Sequence, residues 1–410
     1  MDFNDTPEEA EFRNAAREFL GANAEPKSRA RPVLRLGDIG GDAVQRCKAW
    51  QAKKADAGFA GLTWPKRFGG REASPIMQVI YQQEEAAYAV PRGLFEIGLG
   101  MCIPTMMAYA KPQQLERFVR PALRGEEVWC QLFSEPGAGS DLAALRTRAE
   151  RDGDDWIING QKIWTSGAHL SDFGIIVTRS DPNVPKHEGL TFFFLDMKSP
   201  GIEIRPIHQM SGASHFNEVF FTDVRVPDAQ RLGAVGQGWK VSLTTLMNER
   251  LAVGEEHRPD VEDLVDLSRS LVLDGAPAIR NSAVRERIAE WYAQTQGLKF
   301  TRFRTMTALS RGQTPGAENS IHKLVNAGKL QDIASYGLDL MGLAGLVMDD
   351  DLAQAYAIFQ QALLSSPSAR IAGGSDEILR NIIAERVLGL PADIRVDKNK
   401  PFNQVPTGRR

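Results

Sequence analysis

At Trp129 the hydrophobic period of the chain changes, and that change constrains the fold more than composition does. Before it, apolar residues recur at helical spacing. Phe12, Ala16, Phe19 and Leu20 share one face, and helical patterns return over 42–57, 74–90, 93–110 and 112–124. After it, short runs rich in Ile, Val, Phe and Trp alternate with turn signals such as Asp152-Gly153, Asn159-Gly160 and Ser199-Pro200-Gly201. Runs at 146–151, 156–158, 173–179, 190–197, 202–207 and 218–226 predict antiparallel strands. From Trp239 the helical period returns, first in a long segment through Ser270, then over 282–310, 318–343 and about 376–388. Helix, strand and helix blocks in succession predict an α+β chain and exclude an alternating βαβ fold. The predicted division is an N-terminal helical domain (1–128), a central antiparallel β-domain (129–238), a C-terminal helical domain (239–391) and a polar, loosely held tail (392–410).

Composition narrows the function classes. A hydrophobic fraction of 42% with 25% charged residues is that of an ordinary globular chain. A net charge of −3 without a basic stripe argues against nucleic acid as a partner. Three cysteines without a CxxC pair, and six histidines without ligand spacing, predict a reducing compartment and no metal. The acidic start, MDFNDTPEEAEF, predicts no export and a cytoplasmic protein. Within it, Thr6-Pro7-Glu8-Glu9 has the pattern of a capping box. The apolar region 86–110 is broken by Pro91, Arg92, Glu96 and Pro104, which fits buried helices and not a membrane span. Its Gly98, Gly100, Met101, Met106 and Met107 fit a deep adaptable pocket or helix packing equally. There is no Walker loop, GxSxG, HExxH or GxGxxG; Leu142 stands where the last would need its third glycine.

The stretch CQLFSEPGAGSDLAALRTRAERDGDDWIINGQKIWTSG, from Cys130, carries the chemistry. Its first half runs out of an apolar segment into Ser134-Glu135-Pro136-Gly137-Ala138-Gly139-Ser140-Asp141, where glycines expose backbone and serines supply hydroxyls. Its second half has the pattern of a hairpin turning at Asn159-Gly160. That hairpin would bring out Trp164, Thr165 and Ser166 together, a flat indole beside two hydroxyls. Such a group suits a planar polar ring stacked on one face and hydrogen-bonded along its edge. A core aromatic and turn-forming serines are the alternatives.

Together with FTDVRVP (221–227), Glu249-Arg250 and GGSDEILRNII (373–383), these segments resemble the acyl-CoA dehydrogenase family of flavoproteins, in order and spacing, over nearly the whole chain. The resemblance implies a C-terminal four-helix bundle, bound FAD, and α,β-dehydrogenation of an acyl-CoA to a trans-2-enoyl-CoA, a step of β-oxidation. It also implies electrons passed to an electron-transfer flavoprotein, and a homo- or hetero-oligomer built as a dimer of dimers. In most of the family the catalytic carboxylate sits where this chain has Gly373. A branch similar to the long-chain and isovaleryl-type enzymes places it before an arginine on the helix that opens the C-terminal domain, here Glu249 before Arg250. The resemblance therefore makes Glu249 the base, lends the Gly373 N–H to the thioester oxygen, and sets Arg250 on the CoA side. Glu255, Glu256, Asp376 and Glu377 are rival acids.

By the same resemblance Ser134 meets the pyrimidine edge of the flavin, Ser166 its N5, and Trp164 packs on the ring. Phe133, Gly139 and Thr165 belong to the same cofactor site. Ser140 reaches phosphate or CoA, and Ser375 and Glu377 reach the adenosine half. The chain departs from the family in lacking an Arg-x-x-Phe-Gly element between Ser268 and Gln296, where Arg280 or Arg285 would substitute. It also carries Asp339 for the family's Gln, Gly342-Leu343 for its Gly-Gly, and Gln131 for an aromatic. These departures raise a second reading, the catalytic half or a non-catalytic partner of a hetero-oligomer. A third is an acyl-CoA oxidase, which usually carries an additional C-terminal domain.

Overall fold

The computed structural model describes residues 5–27, 41–251, 259–311, 313, 316–349 and 351–405; the side chains of 249–251, 309 and 310 lie outside that description. In chain order the helices begin with α1 (Pro7–Asn23), α2 (Asp42–Asp56), α3 (Pro75–Glu85), α4 (Ile103–Tyr109) and α5 (Pro112–Leu123). Eight strands follow: β1 (Trp129–Leu132), β2 (Arg148–Asp152), β3 (Asp155–Ser166), β4 (Phe173–Arg179), β5 (Leu190–Asp196), β6 (Ile202–Ile207), β7 (Phe216–Pro227) and β8 (Arg231–Leu232). Then come α6 (Gly238–Leu251), α7 (Val261–Ser270), the two-residue strands β9 (Val272–Leu273) and β10 (Ala276–Pro277), α8 (Ser282–Ser310), α9 (Ser320–Met341), α10 (Ile358–Ile371) and α11 (Asp376–Arg386).

Packing gathers the described residues into two units. One takes them from Met1–Val33, Ser74–Ala89 and Gly254–Asp393; the other takes them from Leu34–Ala73, Val90–Val253 and Ile394–Arg410. In the first, α1 begins at the expected capping box: the Thr6 hydroxyl accepts from the Glu9 N–H, and the Glu9 carboxylate accepts from the Thr6 N–H at 2.8 Å. The core of this unit forms around Val261, Leu264, Trp291, Ile333 and Phe359. The segment expected to run unbroken to Ser270 instead restarts at Asp260, whose carboxylate caps α7 through the Asp263 N–H at 2.8 Å. Helix α10 has no counterpart among the expected elements, because Pro367 inside it disguises the helical period.

In the second unit the sheet runs β6-β7-β3-β2-β4-β5-β8, with β1 beside β4. Its pairs are antiparallel except β1 with β4 and the single β2–β4 bridge. FGIIVTR and LTFFFLD, in β4 and β5, are buried on both faces, which is why they read as continuous apolar runs. Alternate residues part to the two faces. Ile175, Val177, Phe192 and Phe194 pack with Ile103, Met106, Leu115 and Val119, while Ile176, Phe193 and Leu195 pack with Ile158, Val219 and Phe221. Met106 is thus core, and Gly98 lies against Trp129, so both serve helix packing.

Two expectations are overturned here. Asn159-Gly160 is no hairpin turn: it lies inside the twelve-residue β3, which pairs with β2 on one side and β7 on the other. The hairpin closes earlier, at Gly153-Asp154 between paired Asp152 and Asp155, and Asn159 then falls opposite Arg148. Its side chain donates to Asp223 Oδ1 at 3.0 Å and accepts from the Asp223 N–H at 2.9 Å, while the register against β7 slips between Ile158 and Gly160. A Cβ at Gly160 would lie 2.5 Å from Thr147 Oγ1, so the residue is glycine for close approach, not for a turn. Nor, among the described residues, is the tail loosely held over 397–403. Phe402 N donates to Val184 O at 2.9 Å, Asn403 N to Pro182 O at 3.0 Å, and Lys186 pairs with Asp397.

Candidate active site

The turn after β1 is closed by backbone alone, the Glu135 and Ala138 N–H groups each donating to the other's carbonyl at 3.0 Å around Pro136-Gly137. Beneath it lies a buried ion pair. Lys162 is 0% exposed and donates to Glu135 Oε1 at 2.9 Å and to Phe133 O at 3.0 Å. Glu135 also accepts from Arg146 N at 2.6 Å and Thr147 N at 2.9 Å, and Ile163 N donates to Ser134 O at 2.9 Å. Burial raises the Glu135 carboxyl, but Lys162 and the N–H donors outweigh it and hold the group below the ordinary carboxylate value. Burial likewise pulls the Lys162 ammonium below its usual value, although Glu135 opposes the shift. The Phe133-Ser134 backbone is therefore fixed by charge on one side and by β3 on the other.

Just past Lys162 the register of β3 against β7 slips again, and Trp164 takes a left-handed φ of 60°. For a bulky residue that conformation is strained. It turns the indole outward, 55% exposed, with only an edge against Phe216 at 6.0 Å between centroids. Thr165 turns inward, and its buried hydroxyl oxygen has no hydrogen-bond partner among the described residues. Asn217 Nδ2 holds the Thr165 carbonyl at 2.9 Å. Ser166 is half-buried and lines a small cleft with Leu94, Ile97, Trp129, Gly167 and Ser171. Phe133 is buried, and Gly139 and Ser140 are exposed at the far end of the turn.

Helix α6 belongs to the same unit. Gly238 lets its start approach the Leu190-Thr191 backbone, where a Cβ would lie 2.6 Å from Leu190 C. Thr245 and Thr105 share a buried hydroxyl hydrogen bond at 2.8 Å that ties α6 to α4. Glu249 and Arg250 occupy its last turn, with side chains outside the described residues; Glu255 and Glu256 lie outside them altogether.

The remaining expected residues sit in the other unit. Gly373 and Gly374 both take left-handed φ, 64° and 93°, ahead of α11. A carboxylate-bearing residue at Gly373 would be strained, so the turn geometry itself favours glycine there. Ser375 caps α11 by accepting from Ile378 N at 3.4 Å. Asp376 is buried and accepts from Arg370 Nε at 2.7 Å, while Lys323 Nζ donates to Gly374 O at 2.5 Å. Glu377 is exposed in the first helical turn, where the helix N–H groups and the Ser375 hydroxyl hold its pKa down. Arg280 is exposed after β10. Phe133, Ser134, Gly139, Ser140, Trp164, Thr165 and Ser166 thus share one unit with α6, and Gly373, Ser375, Glu377 and Arg280 share the other.

Sequence reasoning missed the Glu135–Lys162 pair. The signal was present: Lys162 falls in phase with Trp156 and Ile158 along β3, an inward position occupied by charge. Among the described residues no group of His, Cys, Asp and Glu is arranged to hold a metal, and no helix is long and apolar enough to cross a membrane.

Three acyl-CoA dehydrogenase domain models match in succession: the N-terminal domain over residues 6–126, the middle domain over 130–224 and the C-terminal domain over 236–388. The chain belongs to the acyl-CoA dehydrogenase family. It is 37% identical to the acyl-CoA dehydrogenase IpdE1 of Mycobacterium tuberculosis over 94% of this chain and 98% of that one. It is 41% identical to the acyl-CoA dehydrogenase FadE34 of the same organism over 83% of this chain, but spans only 46% of that longer protein. The solved structure of the Tcur3481-Tcur3483 steroid ACAD superposes with a TM-score of 0.80 at 28% identity, covering 96% of this chain and 100% of that one. FAD is typical of acyl-CoA dehydrogenases. The residues present fit it: an outward indole, a buried hydroxyl lacking a partner among the described residues, and Ser134 on a backbone that the ion pair and β3 hold.

Proposed function

We propose that this acyl-CoA dehydrogenase oxidises the α,β bond of an acyl-CoA thioester to a trans-2-enoyl-CoA. The observation that carries the reading is the strained Trp164 bulge with the unpartnered Thr165 hydroxyl beside it. Strain of this kind persists only where surrounding structure enforces it, and it collects at ligand sites. Trp164 stacks on the isoalloxazine, Ser134 and Ser166 hydrogen-bond its edge, and Thr165 completes the contact. Ser140 meets phosphate or CoA, and Ser375, Glu377 and Arg280 serve the adenosine half. Bound FAD supplies the acceptor for the hydride that leaves the β-carbon. Glu249 takes the α-proton onto its carboxylate. The Gly373 N–H donates to the thioester oxygen as negative charge builds there. Arg250 braces the CoA side. Electrons leave to an electron-transfer flavoprotein, and the steroid ACAD among the solved neighbours favours a bulky acyl group.

Replacing Glu249 with Gln is expected to leave a yellow protein whose turnover falls by about 10²- to 10⁴-fold. Anaerobic bleaching of bound flavin by a panel of acyl-CoAs checks this; undiminished bleaching in the variant removes Glu249 as base. A second reading, one half of a hetero-oligomer with divided FAD sites, is favoured by Asp339 and Gly342-Leu343 at family positions for Gln and Gly-Gly, and by a solved neighbour whose name joins two designations. Light scattering with flavin-to-chain stoichiometry separates the two, since one FAD per chain in a homotetramer contradicts divided sites.

A further inference from the structure

We infer that the segment 394–405 is a built-in strap, and that its Phe402 and Asp397 are positioning residues for the turn at Ser140–Leu145. Arg179 is the link. Its guanidinium is 4% exposed and spread over protein carbonyls, donating to Lys186 O at 2.7 Å, Ala143 O at 2.5 Å and Leu145 O at 3.4 Å. These bonds tie the short turn Leu142–Ala144 to the end of β4. The Phe402 ring covers this cation, its centroid 3.8 Å from Arg179 Cζ, and Arg146 lies 5.5 Å from the same ring. An aromatic face over a desolvated guanidinium stabilises it and excludes water that would compete for the carbonyls.

Asp397 acts on the same turn by a second route. Lys186 Nζ reaches both carboxylate oxygens of Asp141, at 2.9 and 2.8 Å, and pairs with Asp397 as well. One ammonium between two carboxylates joins the strap to the residue after Ser140. The strap is itself held in register by a bridge between Pro185 and Pro401, by the Phe402 and Asn403 N–H groups on Val184 O and Pro182 O, and by Asn403 Nδ2 on Asn183 Oδ1 at 3.0 Å. The 181–187 loop also carries His187, whose ring meets Trp239 in the first turn of α6 at 4.8 Å. The strap therefore grips the loop that touches both the cofactor turn and the helix bearing Glu249. What Ser140 contacts rests on the proposed function; the grip on the turn does not.

The test compares the full chain with Phe402→Ala, Phe402→Tyr and Asp397→Asn, reading hydrogen exchange at amides 142–147 and the split between KM for an acyl-CoA and kcat. Phe402→Ala is expected to speed exchange at 142–147 about tenfold or more, leave 192–195 in β5 unchanged, and raise KM several-fold with kcat within about twofold. Phe402→Tyr, which keeps the ring, should restore both, and Asp397→Asn should give a smaller change of the same kind. Unchanged exchange at 142–147 overturns the strap. So does a uniform rise that includes 192–195, since the tail would then be ordinary fold. Faster local exchange with KM unmoved sustains the strap and instead removes Ser140 from the substrate or cofactor site. Should Phe402→Ala fail to fold, Asp397→Asn decides by the same local-against-uniform criterion.

Discussion

The same tripeptide, Gly-Ser-Asp, occurs twice, at Gly139–Asp141 and at Gly374–Asp376, and the two copies do different things. In the second, an eleven-residue helix comes next, so Ser375 becomes its cap and Asp376 sinks against Arg370. In the first, Leu142 and Ala143 are drawn into the core after one short turn, and nothing is capped by a side chain. Ser140 stays exposed, and Asp141 reaches sideways to Lys186. Three residues of this kind allow several local conformations, and the next stretch of chain selects among them. The first copy is free to meet a ligand because no helix claims its hydroxyl. The second already accepts a hydrogen bond from the helix, which leaves its O–H proton for the proposed adenosine contact.

The largest expected effect tests whether the first turn depends on charge beneath it. Glu135→Gln leaves Lys162 buried without its counter-charge and should lower stability by about 3–5 kcal/mol in urea unfolding, with loss of flavin on gel filtration. A stable, yellow variant would show that the backbone bonds suffice. Gly373→Ala is expected to cost about 1–2 kcal/mol, because its left-handed φ resists a Cβ. The two serines then sharpen the contrast directly. Ser375→Ala should cost about 1 kcal/mol of stability through the lost cap. Ser140→Ala should change stability by less than about 0.5 kcal/mol yet weaken FAD or acyl-CoA binding in titration. The reverse result would exchange the roles assigned to the two copies.

The smallest effect concerns acid. Hydrogen bonding to Lys186 holds the Asp397 carboxyl below its ordinary value of 3.8. A carboxylate with a lowered folded pKa stabilises fully above its unfolded value and loses that contribution as pH falls through the folded one. The strap on the first turn should therefore be intact at neutral pH and loosen only below about 3.8. Asp397→Asn should remove that acid dependence from exchange at 142–145, the amides not held by Glu135, whereas the second Gly-Ser-Asp turn should not respond to the substitution.

Much was legible from local pattern because local energies decide it. The helix–strand–helix blocks follow from where the hydrophobic period changes, and β4, β6 and α8 run as the sequence predicts because nothing nearby competes with their period. The Thr6 capping box is likewise a contest among four adjacent residues. Asn159-Gly160 misled because the turn preference is local, whereas β2 and β7 claim both edges of β3 at once. Pro367 hid α10. The polar tail gave no sign that its Phe402 would cover a guanidinium from the end of β4, far earlier in the chain.

For the site, side-chain types in order were enough to resemble a family, and Trp164 was expected to emerge as it does, whereas Thr165, expected to emerge beside it, turns inward. The sequence by itself determined which residues alternate and where each block begins, since these depend on neighbours along the chain. Tertiary structure alone decided that Lys162 is buried on Glu135 and that Phe402 covers Arg179. Each of those is a choice between solvent and a partner distant in sequence, and its free energy exists only once that partner has arrived.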